Sequence, residues 1–84
     1  MKLTVLYFAS LREALGISGE SLPVPDAANV TALIESLRAR GGAWAESLAA
    51  GKRWRVAVNQ NMVALDAPLK AGDEVAIFPP VTGG

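Results

Sequence analysis

No cysteine and no histidine occur among the 84 residues. Without cysteine the chain has no disulfide framework, no thiolate metal site and no nucleophilic thiol. Without histidine it lacks the usual general base and the commonest metal ligand. A stand-alone hydrolase or metalloenzyme is therefore disfavoured, and neither a metal nor a cofactor is expected on the chain. Charge of one sign is missing too: eight basic and eight acidic residues give a net charge of zero. That balance supplies no electrostatic reason for a nucleic acid or an anionic membrane as partner. The apolar opening Met1–Phe8 is too short and too β-like for a signal peptide or a membrane span, so a cytoplasmic location is expected. No internal repeat or low-complexity linker stands out. Arg40-Gly41-Gly42 lacks the spacing of a phosphate-cradling loop and reads as helix termination.

Half of the residues are hydrophobic and 19% are charged, which is the composition of a globular chain. One domain of this size buries only about 60% of the surface its unfolded form exposes, so modest stability and some exposed apolar surface are expected.

The run Lys2–Phe8 predicts a central first strand, with Leu3, Val5 and Tyr7 on one face and Thr4, Leu6 and Phe8 on the other. Ser10 as N-cap with Glu13 three residues on predicts a capping box, a short helix through Leu15 and a stop at Gly16. A second strand is expected over Glu20–Val24. Asn29 is placed to cap the main helix, Val30–Arg40, whose Val30, Leu33, Ile34 and Leu37 recur at helical spacing. Ala43–Ala50 predicts a shorter helix stopped by Gly51, with Trp44 and Leu48 on one face. Arg53–Asn59 reads as a strand, Gln60-Asn61 as a turn into Met62–Leu65, and Glu74–Phe78 as the last strand. The pattern fits several α+β arrangements, among them a mixed sheet grasping one main helix with short additional helices.

Two weak clusters have bland explanations. Asp73-Glu74 reads as turn chemistry ahead of a strand and not as a paired-carboxylate site. Lys52-Arg53-Trp54-Arg55 reads as a solvated strand edge with Trp54 partly buried.

The chain closes on Pro79-Pro80-Val81-Thr82-Gly83-Gly84. The diproline favours an extended path, so residues 79–84 are expected to leave the 1–78 domain as a tail reaching about 20 Å. Gly83 and Gly84 make a narrow tip that lets a pocket approach the backbone closely. Activation by a nucleotide would make its terminal carboxylate an acyl donor, and sulfur delivered to that acyl group would leave a thiocarboxylate; the bland reading of Gly-Gly is a frayed end or an expression scar. One helix covers only one face of the sheet, so the opposite face, with Phe8, Met62 and Phe78, is expected to dock a partner.

The run Gly72-Asp73-Glu74-Val75-Ala76-Ile77-Phe78-Pro79-Pro80-Val81-Thr82-Gly83-Gly84 closely resembles the C-terminus of the molybdopterin synthase small-subunit family. Ala57-Val58-Asn59-Gln60, Pro68-Leu69, Tyr7-Phe8-Ala9 and Leu11-Arg12-Glu13 fall where that family has its other motifs. The resemblance implies a β-grasp (ubiquitin-like) fold and a sulfur-carrier role. It implies that an ATP-dependent enzyme adenylates Gly84, that sulfur replaces the adenylate, and that the tail, Gly83 included, enters the large subunit's active site. There the thiocarboxylate donates sulfur to a cyclic pyranopterin to build the dithiolene. ATP is then used by the activating partner, and the chain is not an enzyme on its own. Pro79, Pro80, Val81 and Thr82 become partner contacts, as does Arg12 at the rim by its place after the first strand. A sulfur carrier of the thiamine-pathway type, a ubiquitin-like protein modifier and a pure binding module stay open as alternatives.

Overall fold

Strand alternation sets the architecture from the first residues of the chain. The computed structural model describes residues 1–49 and 54–79, and within it β1 (Lys2–Tyr7) buries Leu3, Val5 and Tyr7 on one face. β2 (Gly19–Pro23), β3 (Arg55–Val58), β4 (Asn61–Met62) and β5 (Glu74–Phe78) complete a five-stranded sheet in the order β2-β1-β5-β3-β4. β1 and β5 run parallel at its centre, and the other pairings are antiparallel. The last strand therefore lies beside the first and delivers Pro79 next to the start of the helix that follows β1.

The main helix, α2 (Val30–Arg38), begins where expected: Asn29 Oδ1 accepts the Ala32 N–H at 2.8 Å and satisfies one orphan donor of the first turn. Its Val30, Leu33, Ile34 and Leu37 are buried in one cluster with Leu3, Val5, Tyr7, Val56, Val75 and Ile77. A mixed sheet thus holds one amphipathic helix on one face, which is the β-grasp arrangement. Two short helices, α1 (Ala9–Leu15) and α3 (Gly42–Ser47), pack against each other at the end of the sheet where β1 and β5 stop.

Several local expectations are corrected. Ser10 does not cap α1; Phe8 occupies the N-cap with no side-chain cap hydrogen bond. The cause is that Phe8 still belongs to the sheet, its N–H donating to Ile77 O at 3.3 Å, while its carbonyl accepts from Leu11 and Arg12. Gly16 ends the helix as expected, at φ 79. α2 stops at Arg38, where the backbone tightens to three-residue bonds, Arg40 N–H to Leu37 O at 3.1 Å and Gly41 N–H to Arg38 O at 3.0 Å, before Gly41 turns left-handed at φ 78. The hairpin turn is Asn59-Gln60, one residue earlier than expected, with φ 50 and 72. A two-residue loop matching the sheet twist needs both residues left-handed, a conformation Asn59 tolerates well and Gln60 adopts at a cost. β4 is correspondingly short, since the Leu65 carbonyl is taken by the N–H and the hydroxyl of Thr31 on α2. Gly51, the Arg53 start of β3, and the tail residues Pro80, Val81, Thr82, Gly83 and Gly84 lie outside the described residues.

Candidate functional site

Register fixes which side chains share the face opposite α2. Ala57 pairs with Met62 on one side and Ala76 on the other, Ala76 with Leu6, and Leu6 with Gly19. Side chains of directly paired residues lie on the same face, so these five form one row across all five strands. Gly19 is required there, because a Cβ would stand 2.9 Å from both Leu6 Cδ2 and Val5 O. Next to this row lie Arg55, paired with Phe78, and then Phe8. Ala57 and Ala76 form a low floor, and the larger apolar groups stand over it.

Met62 is 56% exposed and Phe8 39% exposed, while Phe78 is half-buried. The Phe8 and Phe78 rings stack at 5.0 Å between centroids and 13° between planes. Aromatic rings left in water and stacked on each other cover part of one another's apolar surface while leaving outer faces available to a partner. Phe78 is followed at once by Pro79, so this pair stands where the described chain passes toward residues 80–84. The exposed Arg12 sits on α1, whose first residues hydrogen-bond to the Phe8 carbonyl. The structure thus brings Phe8, Met62 and Phe78 onto one face, with Pro79 at its end and Arg12 on the helix beside it.

A second constellation, not foreseen from sequence, holds the end of the sheet together from the core side. The buried Tyr7 hydroxyl donates to Glu20 Oε2 at 2.8 Å. Arg40 grips the same carboxylate with two N–H donors, at 2.8 and 2.9 Å. Its guanidinium lies 4.4 Å over the Trp44 ring, and Trp44 meets Tyr7 edge-on at 5.3 Å. Hydrogen bonding to Arg40 holds the Glu20 carboxyl below its ordinary value. Burial, reinforced by the Glu20 carboxylate, pushes the Tyr7 hydroxyl well above its ordinary value, so it stays a donor. The available sequence signal was weak: a Tyr on a core-facing strand position needs a partner for its hydroxyl. The cluster ties β1, β2, the end of α2 and α3 into one block. No helix of the described residues is long and apolar enough to cross a membrane.

Comparison with known proteins agrees with this geometry. The model of the ThiS family matches residues 5–84. The molybdopterin synthase sulfur carrier subunit of Haemophilus influenzae is 45% identical over 82 residues, covering 98% of this chain and 99% of that one. Among solved structures, SAMP1 from Haloferax volcanii superposes with a TM-score of 0.82 at 28% identity over the whole of both chains. A chain from the complex of subunits 1 and 2 of the molybdopterin-converting factor of Helicobacter pylori gives 0.69 at 25% identity, again over both whole chains. The chain therefore belongs to the ThiS family, with molybdopterin synthase sulfur carrier subunits as relatives over nearly its full length.

Proposed function

We propose that the chain is the sulfur-carrying small subunit of a molybdopterin synthase and that its Gly84 carboxylate is the reactive group. The carboxylate attacks the α-phosphorus of ATP in an activating enzyme and expels pyrophosphate. A sulfur nucleophile then displaces AMP from the acyl-adenylate and leaves a thiocarboxylate. In the large subunit's active site the sulfur bonds to a carbon of the cyclic pyranopterin as an oxygen substituent leaves that carbon, and water then cleaves the acyl–sulfur bond, leaving the sulfur on the pterin and the carboxylate on Gly84. The chain itself supplies the reagent and the docking surface, and its sequence holds neither histidine, the commonest general base, nor cysteine. A narrow Gly-Gly tip suits this role, because the reacting atoms must approach to near contact inside a pocket.

The observation that carries this reading is the stacked pair of exposed Phe8 and half-buried Phe78, the latter immediately before Pro79. A partner seated on it is positioned to receive whatever follows Pro79. Likeness to a subunit solved in complex with its second subunit supports the same partner class. The test is intact-mass analysis after incubation with the activating enzyme, ATP and a sulfur source. One oxygen should be replaced by sulfur at Gly84. An unmodified terminus in a preparation that still supports sulfur transfer refutes the reading, and lysine-linked adducts in place of the thiocarboxylate would make the chain a protein modifier.

A further inference from the structure

Behind the root of the tail lies a second surface, separate from the sheet face. α1 and α3 leave between them a groove of about 330 Å³, with Leu11 at its floor, Ala14 and Ala43 on its walls, Glu46 and Ser47 along the α3 side and Pro79 at its mouth. Leu11 is buried, whereas Ala14, Ala43 and Glu46 are exposed. Phe8 joins the two surfaces, because its ring stacks on Phe78 over the open face while its carbonyl accepts from Leu11 at 3.1 Å and opens α1. Phe78 lies on the open face and the next residue, Pro79, lines the groove, so the two surfaces meet at consecutive residues of the chain.

A protein that takes up the chain from Pro79 onward therefore meets both surfaces at that point. A rim that touched only the Phe8–Phe78 flank would leave the other side of the tail's root in water. We propose that the α1–α3 groove is the second flank of the docking surface, an inference that rests on the carrier reading above. The partner that takes the tail seats an apolar side chain of its rim between Ala14 and Ala43 and sets a basic group over Glu46. The lining favours that occupant. Both alanines end at Cβ, so the space between the helices admits a side chain inserted from outside. Glu46 is the only charged residue among the described residues that line it, which asks for a cation opposite. The groove is also pre-formed, since Trp44 on α3 is pinned by Tyr7 and Arg40. A pocket that needs no rearrangement loses less on binding.

The test fills the groove and leaves the open face alone. Ala14→Leu combined with Ala43→Leu places larger side chains at exposed helical positions where leucine is a good helix former. Calorimetric titration against the cognate molybdopterin synthase large subunit should show about tenfold weaker binding with an unchanged melting temperature, as for loss of one buried anchor. Glu46→Lys should weaken binding as well and reduce its salt dependence. Phe8→Ala, titrated alongside, separates the two flanks. If Phe8→Ala weakens the complex while the double leucine variant and Glu46→Lys bind like the parent, the groove inference is overturned and the carrier reading stands. If the large subunit binds none of these proteins, the parent included, the carrier reading fails and the groove falls with it. Nuclear Overhauser contacts in the free chain between residues 80–84 and Ala14 or Ala43 would place the chain's own tail in the groove, which also overturns the inference.

Discussion

Removing the carboxylate that joins Tyr7 to Arg40 is expected to unsettle the end of the sheet that leads into Pro79. Glu20→Ala leaves the Tyr7 hydroxyl, on a residue only 1% exposed, without its acceptor. An orphaned buried donor costs about 1–3 kcal/mol. The Arg40–Glu20 pair adds less, because its side chains are 32% and 22% exposed and water screens them; about 0.5–1 kcal/mol is reasonable. The expected loss is roughly 2–3 kcal/mol, a large share of what a small domain has. Tyr7→Phe removes the donor itself, so Glu20→Ala on that background should cost only about 1 kcal/mol, a coupling of about 1–2 kcal/mol. Urea unfolding followed by tryptophan fluorescence gives both midpoints, with Trp44 beside the perturbed site. The sign of the pH dependence follows from the depressed Glu20 carboxyl: its stabilisation is complete above the ordinary value of 4.5 and is lost as pH falls through the lower folded value. The stability gap between the parent and Glu20→Gln should therefore narrow only below that pH. Strictly additive single and double variants would refute the account of Glu20 as acceptor for Tyr7.

Other substitutions probe the core, the hairpin and the docking face. Leu37→Ala, at a fully buried position of α2, should cost about 2–5 kcal/mol by thermal melting. Gln60→Gly should raise stability by up to about 1 kcal/mol, since Gln60 holds φ 72 in a turn that glycine adopts without strain; a lowered denaturation midpoint would contradict the turn assignment. Phe78→Ala and Met62→Ala should weaken binding to the large subunit by more than they lower stability, measured by titration and melting on the same samples. Unchanged affinity with a collapsed melting temperature would assign both residues to the core.

Features written in local periodicity were legible in the sequence, and features made by distant residues were not. The spacing of Val30, Leu33, Ile34 and Leu37 and the cap at Asn29 define α2 within one element, and the structure keeps them. Alternation along Lys2–Phe8 likewise separates the core-facing Tyr7 from the outward Phe8. The Ser10–Glu13 capping pattern misled because a long-range bond, Phe8 N–H to Ile77 O, decides where α1 begins. At Asn59-Gln60 the twist of the paired strands selected the left-handed turn, a one-residue difference that composition does not encode. The Tyr7–Glu20–Arg40–Trp44 cluster draws on β1, β2, the end of α2 and α3, and the α1–α3 groove on two helices far apart in sequence. Neither leaves a local pattern to read. Motif resemblance at the C-terminal run supplied what periodicity lacked, and it agrees with the ThiS family match over residues 5–84 and with the 45% identity to a molybdopterin synthase sulfur carrier subunit.

The central claim is that sulfur leaves from Gly84, and single-turnover transfer tests it most directly. The purified thiocarboxylated chain is mixed with the large subunit and the cyclic pyranopterin, and the intact mass of the chain is followed together with dithiolene formation. The account predicts that each sulfur appearing in product is matched by one chain returning to the carboxylate mass, and that a chain lacking Gly84 gives no product. Dithiolene formed at the same rate from the unmodified chain, or from the chain lacking Gly84, would contradict it.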